Sequence, residues 1–201
     1  MADLQSLQGL VAAFSTEPDM SPERFDTLSG RVFRDAAQLR NLAIAPDFVV
    51  SRVYPLKGNE RSLGLDYRKN ERQRAAAMQV QELDRLIVTG PVDLVQGGRG
   101  LIARYPIHTG SNDAFFGIAS AVIDLDRLLA GSGFTDDMRI AASISSQPHD
   151  GGEAKSVFGS AATVDADPVV MTIDIGHEVW TTSAAPLNGW HQAPADPVLF
   201  R

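Results

Sequence analysis

The run Phe115–Ile123 is the feature that most constrains how this chain can fold. It is nearly continuous in apolar residues and carries no charge, which is typical of a strand covered on both faces. Two strands are predicted before it, Val92–Gln96 and Leu101–Ile107, and the glycine-rich segment 97–100 joins them as a hairpin turn. We therefore expect a sheet with Phe115–Ile123 near its centre.

Two amphipathic helices are predicted before any strand. The first should end near Pro18, because proline disrupts a helix interior. The second begins at Ser21, which suits an N-cap, and its periodicity extends to Pro46. These helices either form a stalk that pairs two copies of the chain or cover the core, and the pattern leaves both open. The stripe of the first helix has spacings of three and four and consists of Leu4, Leu7, Val11 and Phe14.

A third helix and a second group of strands follow. Asn70 is the predicted N-cap of a helix whose apolar stripe extends to Ile87, with Gly90–Pro91 as its end. After the apolar run, Asp124 should cap a short helix that ends at Gly131. Weaker strands are predicted at 139–145, 162–163, 169–175 and 178–183. This order of elements indicates an α+β fold with antiparallel hairpins.

Composition limits the classes of partner. The 201 residues include 44% hydrophobic and 21% charged residues, an ordinary globular balance. The net charge of −7 argues against nucleic acid as a partner. The sequence has no cysteine, which excludes disulfides and thiolate sites. No apolar run reaches the roughly 18 residues that span a bilayer, and no signal peptide is recognised.

The usual catalytic patterns are missing from the sequence. The 97–100 segment lacks the Lys-Ser/Thr of a phosphate loop, and no histidine lies in an HExxH motif. No GxSxG or SxxK motif is found, and the carboxylates Asp124 and Asp126 are explained by helix capping. We therefore predict no catalytic residue, no metal site and no cofactor, and the protein is not expected to be an enzyme.

Arg104 is the polar residue that most needs an explanation. It shares one face of an otherwise apolar strand with Ile102. A buried arginine would need a partner, and its planar fork suits a carboxylate or a planar polar ligand. The alternatives are an exposed edge-strand arginine or a salt bridge to Asp93 across the hairpin. Residues 51–108 carry 10 Lys/Arg against 6 Asp/Glu, which indicates either a solvated helix face or a preference for an anionic ligand.

Several short motifs, in order and in register, carry a resemblance to a known family. Any one of them is weak, but together they are specific. The sequence resembles the CHASE family of extracellular sensor domains over residues 21–191. The motifs are Val53–Leu56 with Gly58–Glu60, Leu63–Asp66, Thr89–Pro91, Leu94–Gly97, Arg104–Ile107, Phe116–Asp124, Trp180 and Pro186–Trp190.

The resemblance implies long N-terminal helices followed by two PAS-like modules with antiparallel sheets. It divides the chain into a helical stalk and dimer face at 1–46, a membrane-distal ligand-binding module at 47–115 and a membrane-proximal module at 116–201. It places the domain outside the cytoplasmic membrane, in the periplasm or extracellular space, between transmembrane helices that this sequence lacks. The family regulates histidine kinases, diguanylate cyclases and related enzymes, and cytokinin receptors belong to it.

The resemblance also predicts a ligand site. In the cytokinin receptors an aspartate, a threonine and a leucine belong to the ligand pocket. The position of the aspartate corresponds to Gln73 in this sequence, that of the threonine to Arg104 and that of the leucine to a position near Ser62. These departures argue against cytokinin itself and favour a small molecule that is anionic or purine-like. The predicted ligand-binding residues are Ser62, Leu65, Asp66, Gln73, Thr89, Val95 and Arg104.

The sequence therefore predicts a small-molecule sensor domain of a transmembrane receptor, of the histidine kinase or diguanylate cyclase type, that forms a homodimer through its N-terminal helices. Two other hypotheses stay open. One is a dimerisation or interaction module without a small ligand. The other is a small soluble hydrolase, which a Ser–His hydrogen bond in a cleft would support.

Overall fold

The computed structural model describes residues 2–34, 36–94, 97–135, 138–149, 151–160, 167–176 and 178–190, with side chains described from residue 7 onward. The chain divides into two compact units, Met1–Gly131 and Ser132–Arg201. We call these unit 1 and unit 2. No helix among the described residues has the length and apolar character needed to cross a membrane.

Unit 1 is a five-stranded antiparallel sheet with helices. The strand order is β2-β1-β5-β4-β3, so β5 lies at the centre. A single 3₁₀ turn lies in the loop that follows β2. The elements are α1 (Ala2–Thr16), α2 (Pro22–Arg34), β1 (Leu39–Pro46), β2 (Arg52–Tyr54), the 3₁₀ turn (Glu60–Ser62), α3 (Glu71–Leu83), β3 (Ile87–Asp93), β4 (Arg99–Thr109), β5 (Ala114–Asp124) and α4 (Leu125–Gly131).

The central position of the apolar run is confirmed. Strand β5 pairs with β1 on one side and β4 on the other, and most of its residues are buried. At Gly117 the neighbouring strand approaches so closely that a Cβ atom would lie 2.3 Å from the carbonyl oxygen of Ala45. Glycine therefore permits β1 and β5 to pair at this point.

The prediction of one long helix from Ser21 to Pro46 is wrong in its second half. The helix α2 ends at Arg34, and the apolar residues from Leu39 onward form β1. Six of the eight residues of β1 are buried, because the strand is covered on both faces. A strand buried in this way has a continuous apolar run, and periodicity cannot distinguish such a run from a buried helix segment.

The predicted end of the third helix is also wrong. The helix α3 ends at Leu83, where Asp84 adopts a left-handed conformation with φ of 47°. Ile87 begins β3, and Gly90–Pro91 lies inside this strand, with a register shift between Thr89 and Val92. A left-handed residue is a common helix stop, but aspartate takes that role less often than glycine, so the residue type at this position did not reveal the stop.

Four local predictions are confirmed, three helix caps and one hairpin turn. The Asn70 side chain accepts a hydrogen bond from the backbone N–H of Gln73, and that of Asp124 accepts one from Arg127. The Ser21 hydroxyl accepts one from Arg24. The glycine-rich segment is a hairpin turn between β3 and β4, in which the Leu94 N–H donates to the carbonyl oxygen of Gly98.

The two faces of the unit 1 sheet carry different elements. On one face Leu7, Leu10 and Phe14 of α1 are buried, and Tyr105 of β4 hydrogen-bonds to Gln8. On the other face α3 and the loop from residue 55 to 70 cover the sheet. Their buried residues Tyr67, Ala77 and Val80 join a cluster with Ala43, Ala45, Ile87 and Ile118 of the strands.

Unit 2 is a four-stranded antiparallel sheet of order β7-β6-β9-β8. The large apolar side chains Val169, Val170, Met171 and Ile173 of its edge strand β8 are exposed. The predicted strand at 162–163 lies outside the described residues, and no strand was predicted at 155–158, where β7 forms. The elements are β6 (Ile140–Pro148), β7 (Lys155–Phe158), β8 (Val169–Asp174) and β9 (Glu178–Pro186).

The α+β class with N-terminal helices and two antiparallel sheets is confirmed. The domain boundaries predicted after residues 46 and 115 fall within one sheet, because β1 ends at Pro46 and β5 begins at Ala114. The division between the two units lies after Gly131 instead. A chain divided at either predicted boundary would separate strands that are hydrogen-bonded to each other.

Candidate functional site

A small cavity lies in unit 1 between the sheet and the elements that cover it. Its volume is about 30 Å³, enough for about two water molecules at roughly 10–15 Å³ each. The floor comes from β1, β4 and β5, and the cover from the 55–70 loop, the start of α3 and the end of β3. The lining residues are Asn41, Ala43, Ser62, Leu65, Tyr67, Gln73, Leu94, Ile102, Ser120 and Val122.

Arg104 lies at one end of this cavity, beside three of its lining residues. It is only 1% exposed and has the largest side chain among the fully buried residues of the described chain. Its Nη1 donates to the Thr89 hydroxyl at 2.8 Å, and its Nη2 donates to Oε1 of Gln73 at 2.9 Å. Its Nε has no hydrogen-bond partner among the described residues. The guanidinium is therefore buried with one of its three nitrogens unsatisfied.

An aromatic ring and a hydroxyl pair complete the surroundings of Arg104. Its Cζ lies 5.5 Å from the centroid of the Tyr67 ring, within the range of a cation–π contact. The Tyr67 hydroxyl is 3.2 Å from that of Ser120, which is the β5 neighbour of Arg104. These contacts hold the guanidinium in place, but none supplies a negative charge.

No carboxylate in the described part of the chain forms an ion pair with Arg104. Burial lowers the pKa of Arg104, and Tyr67 acts in the opposite direction. The lowered pKa expresses the cost of keeping this cation away from water without a counter-charge. Arginine nevertheless stays protonated in proteins, so the site holds an uncompensated positive charge.

Both alternative explanations of Arg104 fail. It lies on β4, which has a neighbour on each side, so it is not an edge-strand residue. Its cross-strand partner on β3 is Ile87, whereas the exposed Asp93 pairs with Arg99. Arg104 is therefore neither exposed nor paired with Asp93.

The predicted site residues divide into three groups. Ser62, Leu65 and Gln73 line the cavity, and Thr89 and Arg104 join it through the hydrogen bond network at one end. Asp66 lies apart from the cavity lining, where its carboxylate bonds to Arg68 and Lys69. The seventh predicted residue, Val95, lies outside the described residues, although its neighbour Leu94 lines the cavity.

Sequence reasoning missed Tyr67, Ser120 and Asn41. Tyr67 directly follows the Leu63–Asp66 motif, and its ring would have been a reasonable partner for a buried arginine. Ser120 is a polar residue in the middle of the central strand, and such an interruption could have identified it. Asn41 was assigned to a helix, so its place on the cavity floor could not be foreseen.

A second buried polar contact connects the cavity floor to the loop that covers it. Nδ2 of Asn41 donates to Oδ1 of Asn59 at 2.9 Å, and Nδ2 of Asn59 donates to the carbonyl oxygen of Pro55 at 2.9 Å. Both asparagines are buried. The pair therefore fixes the loop that carries Ser62 and Leu65 over the cavity.

The arrangement suits binding rather than bond breaking. Its polar groups are one cation, three hydroxyls, one phenol and two amides. No group of three His, Asp or Glu residues in the described chain could hold a metal ion. A guanidinium held by neutral acceptors can attract and orient a negatively charged or strongly polar molecule.

Comparison with known proteins agrees with this description. The sequence matches the family described as CHASE domain over residues 7–157. No curated protein matches the sequence. Among solved structures, an extracellular ligand-binding receptor from Desulfohalobium retbaense is similar with a TM-score of 0.63 and 12% identity. The similarity covers 91% of this chain but only 39% of that one.

Two further solved structures match along most of their length. The ligand-binding domain of the Pseudomonas aeruginosa amino acid chemoreceptor PctC, in complex with GABA, has a TM-score of 0.57 and 14% identity, with 90% of this chain and 88% of that chain covered. The extracellular domain assigned to a histidine kinase, rpHK1S-Z16, has a TM-score of 0.59 and 16% identity, with 90% and 84% covered. At these identities the similarity establishes the fold.

Proposed function

The chain belongs to the CHASE domain family of extracellular sensor domains, and from this premise we propose that it binds a small molecule in the unit 1 cavity next to Arg104. The ligand carries a negative charge or a strongly polar acceptor that pairs with the guanidinium. The observation that carries the proposal is the burial of Arg104 without a described carboxylate partner. A sensor that keeps an unpaired cation in its core becomes more stable when an anion arrives.

The small volume of the cavity implies that binding requires movement. About 30 Å³ holds neither an amino acid nor a purine, so the cover formed by α3 and the 55–70 loop must shift. A ligand changes signalling only through its different affinity for two conformations. The conformation with the cover displaced is the state that the ligand selects in this proposal.

Family membership supports a proposal for the rest of the assembly. We assign ligand binding to unit 1, as the membrane-distal module, and transmission to unit 2, as the membrane-proximal module. Flanking transmembrane helices would connect the domain to a histidine kinase or a diguanylate cyclase. Catalytic activity is not part of the role that we propose for the domain itself.

The ligand class is narrowed by the residues around Arg104. A purine-like ligand of the cytokinin kind would meet a cation and the amide of Gln73, which match it poorly. The PctC domain, which has a similar fold, is in complex with GABA, a molecule with a carboxylate. Amino acids and short carboxylic acids are therefore the first compounds to test, followed by purines.

A thermal-shift screen with a blocked cavity tests the proposal. A ligand present at 100 times its dissociation constant stabilises the folded state by about 2.7 kcal/mol. Ser62→Phe places a ring at the cavity lining, whereas Leu63→Phe changes an exposed neighbour that does not line it. We expect ligands to raise the melting temperature of wild type and Leu63→Phe but not of Ser62→Phe. Equal shifts in all three would place binding elsewhere.

Homodimerisation through residues 1–46 is a second part of the proposal. The apolar residues Leu7, Leu10 and Phe14 are already buried within unit 1, so the dimer would use the opposite face of α1, which includes the exposed Gly9 and Ala12. Sedimentation over a range of concentrations tests it. Ala12→Glu should weaken association, and a concentration-independent monomer would refute the dimer.

A further inference from the structure

We propose that the ligand of this site is a carboxylate that displaces Gln73 from Arg104 and binds both donors on one edge of the guanidinium. The inference rests on the proposed function and adds to it the class of ligand and the group that the ligand replaces. Gln73 is then a resident acceptor, which holds the site closed until a stronger acceptor enters.

The edges of the guanidinium carry the argument. Nε–H and one N–H of Nη2 point the same way, side by side, and a carboxylate accepts both at once. In this structure Gln73 offers one oxygen to Nη2 at 2.9 Å, and Nε is left without a described partner. Gln73 therefore supplies one neutral acceptor to this pair of nitrogens, and a carboxylate would supply one oxygen to each.

Other contacts of Arg104 limit how a ligand can approach it. Thr89 accepts from Nη1 at 2.8 Å, and the Tyr67 ring lies 5.5 Å from Cζ. The edge formed by Nε and Nη2 includes the nitrogen without a described partner, and it matches one planar anionic group. An uncharged amide would replace Gln73 with an equivalent acceptor and would gain little.

The Gln73 side chain can leave without unravelling α3. The backbone N–H of Gln73 is held by Asn70, through its side-chain oxygen at 3.2 Å and its carbonyl oxygen at 3.0 Å. Those bonds cap the helix independently of the Gln73 amide. Displacement therefore breaks the contact between the first turn of α3 and β4 while the helix itself stays intact.

Chemical rescue tests the resident-acceptor role. Gln73→Ala removes the amide, so Nη2 of Arg104 loses its acceptor and Nε still has no described partner. Sodium acetate is titrated into each protein while the melting temperature is followed. Acetamide is the uncharged control, and sodium chloride at equal ionic strength is the control for salt. We expect acetate to bind Gln73→Ala at least tenfold more tightly than acetamide does, and to stabilise it more than wild type. Gln81→Ala, on an exposed position of the same helix, should behave as wild type.

A second set of variants supplies the carboxylate from the side chain of residue 73 itself. Glutamate has nearly the same shape as glutamine, and Gln73→Glu replaces the neutral amide with a negatively charged carboxylate. We expect Gln73→Glu to raise the melting temperature and to abolish the response to acetate. In an Arg104→Met background the same substitution should lose this stabilisation, which separates the ion pair from any effect of a new charge near the helix N-terminus.

The outcomes separate this inference from the proposed function. Equal effects of acetate and acetamide on Gln73→Ala, or the same effect of Gln73→Glu with and without Arg104, would overturn the carboxylate edge. A neutral compound that stabilises wild type and Arg104→Met alike but not Ser62→Phe would overturn both the carboxylate edge and the pairing of the ligand with Arg104, while binding in the cavity would stand. The double variant Gln73→Ala with Ser62→Phe separates the two ideas. If acetate still raises its melting temperature, the result would support the carboxylate edge and contradict entry through the cavity.

Discussion

Removal of the Asn59 side chain should loosen the loop over the cavity and destabilise unit 1. Asn59→Ala deletes two hydrogen bonds of 2.9 Å, one from Asn41 and one to Pro55. Each is worth about 0.5–1.5 kcal/mol, and a buried donor left without a partner costs about 1–3 kcal/mol. Because Asn41 stays buried and loses its acceptor, the penalty of about 1–3 kcal/mol replaces the value of that bond. With about 1 kcal/mol for the bond to Pro55, we expect a total destabilisation of about 2–4 kcal/mol.

The corresponding change in melting temperature follows from the size of unit 1, which ends at Gly131. At about 2.1 cal/mol/K per residue its unfolding entropy is roughly 0.28 kcal/mol/K, so the melting temperature should fall by about 7–15 °C. Circular dichroism melts and urea titrations measure the change. Hydrogen exchange should also become faster between residues 56 and 65, because the loop loses its attachment to β1.

A matched control makes the test specific. Asn112 lies in the exposed turn between β4 and β5, so Asn112→Ala should change stability by less than about 0.5 kcal/mol. If Asn59→Ala were as stable as Asn112→Ala, the buried asparagine pair would not hold the loop, and the argument from unsatisfied donors would be refuted.

Three further predictions concern other parts of unit 1. The side-chain hydrogen bond from Arg68 is the largest cause of the lowered pKa of Asp66. This carboxylate therefore stabilises the fold above its unfolded pKa, and the contribution disappears as pH falls through its folded pKa. In urea titrations from pH 7 to pH 2, Asp66→Asn should lose less stability towards acid than wild type does, and an unchanged profile would contradict this. Gly117→Ala would place a Cβ 2.3 Å from the carbonyl oxygen of Ala45 and should cost at least about 1–3 kcal/mol, measured by urea unfolding; a cost below about 0.5 kcal/mol would show that β1 and β5 separate freely. Leu83→Glu should change stability by less than about 0.5 kcal/mol, because this side chain is 49% exposed at the end of α3. A loss above about 2 kcal/mol in the same assay would indicate that Leu83 is buried, as in the longer helix that its periodicity predicts.

The sequence predicted best where local chemistry decides the structure. Asn70, Asp124 and Ser21 act as helix caps because a short polar side chain can reach a free N–H within three residues. The central strand was equally clear, because nine residues without a charge fit poorly anywhere else. These features depend on neighbours in the chain, which a sequence displays directly.

Long-range pairing was harder to foresee. The residues of β1 show a helical period by coincidence, and their strand form depends on β5, which lies about 75 residues further along. A buried strand and a buried helix segment have similar apolar patterns. The end of α3 had the same difficulty, since Ile87 continues the helical stripe but pairs with Arg104 instead.

The candidate site was predicted in part. The sequence drew attention to Arg104 because a charged residue in an apolar strand needs a polar partner if it is buried, and the structure shows that it is buried. Its actual neighbours Gln73 and Thr89 were named from the family resemblance. Tyr67 and Ser120 could not be assigned without the register that brings β4 and β5 side by side.

The two sheets differ in how their edges meet solvent. In unit 1 the outer strands are β2, which has three residues, and β3, which contains Pro91 and a register shift, and both features discourage another strand from adding to the edge. In unit 2 the edge strand β8 has six residues, with Val169, Val170, Met171 and Ile173 exposed and Asp174 as its only charge. We therefore expect the purified domain to self-associate through unit 2, by backbone pairing of β8 with a strand of another copy.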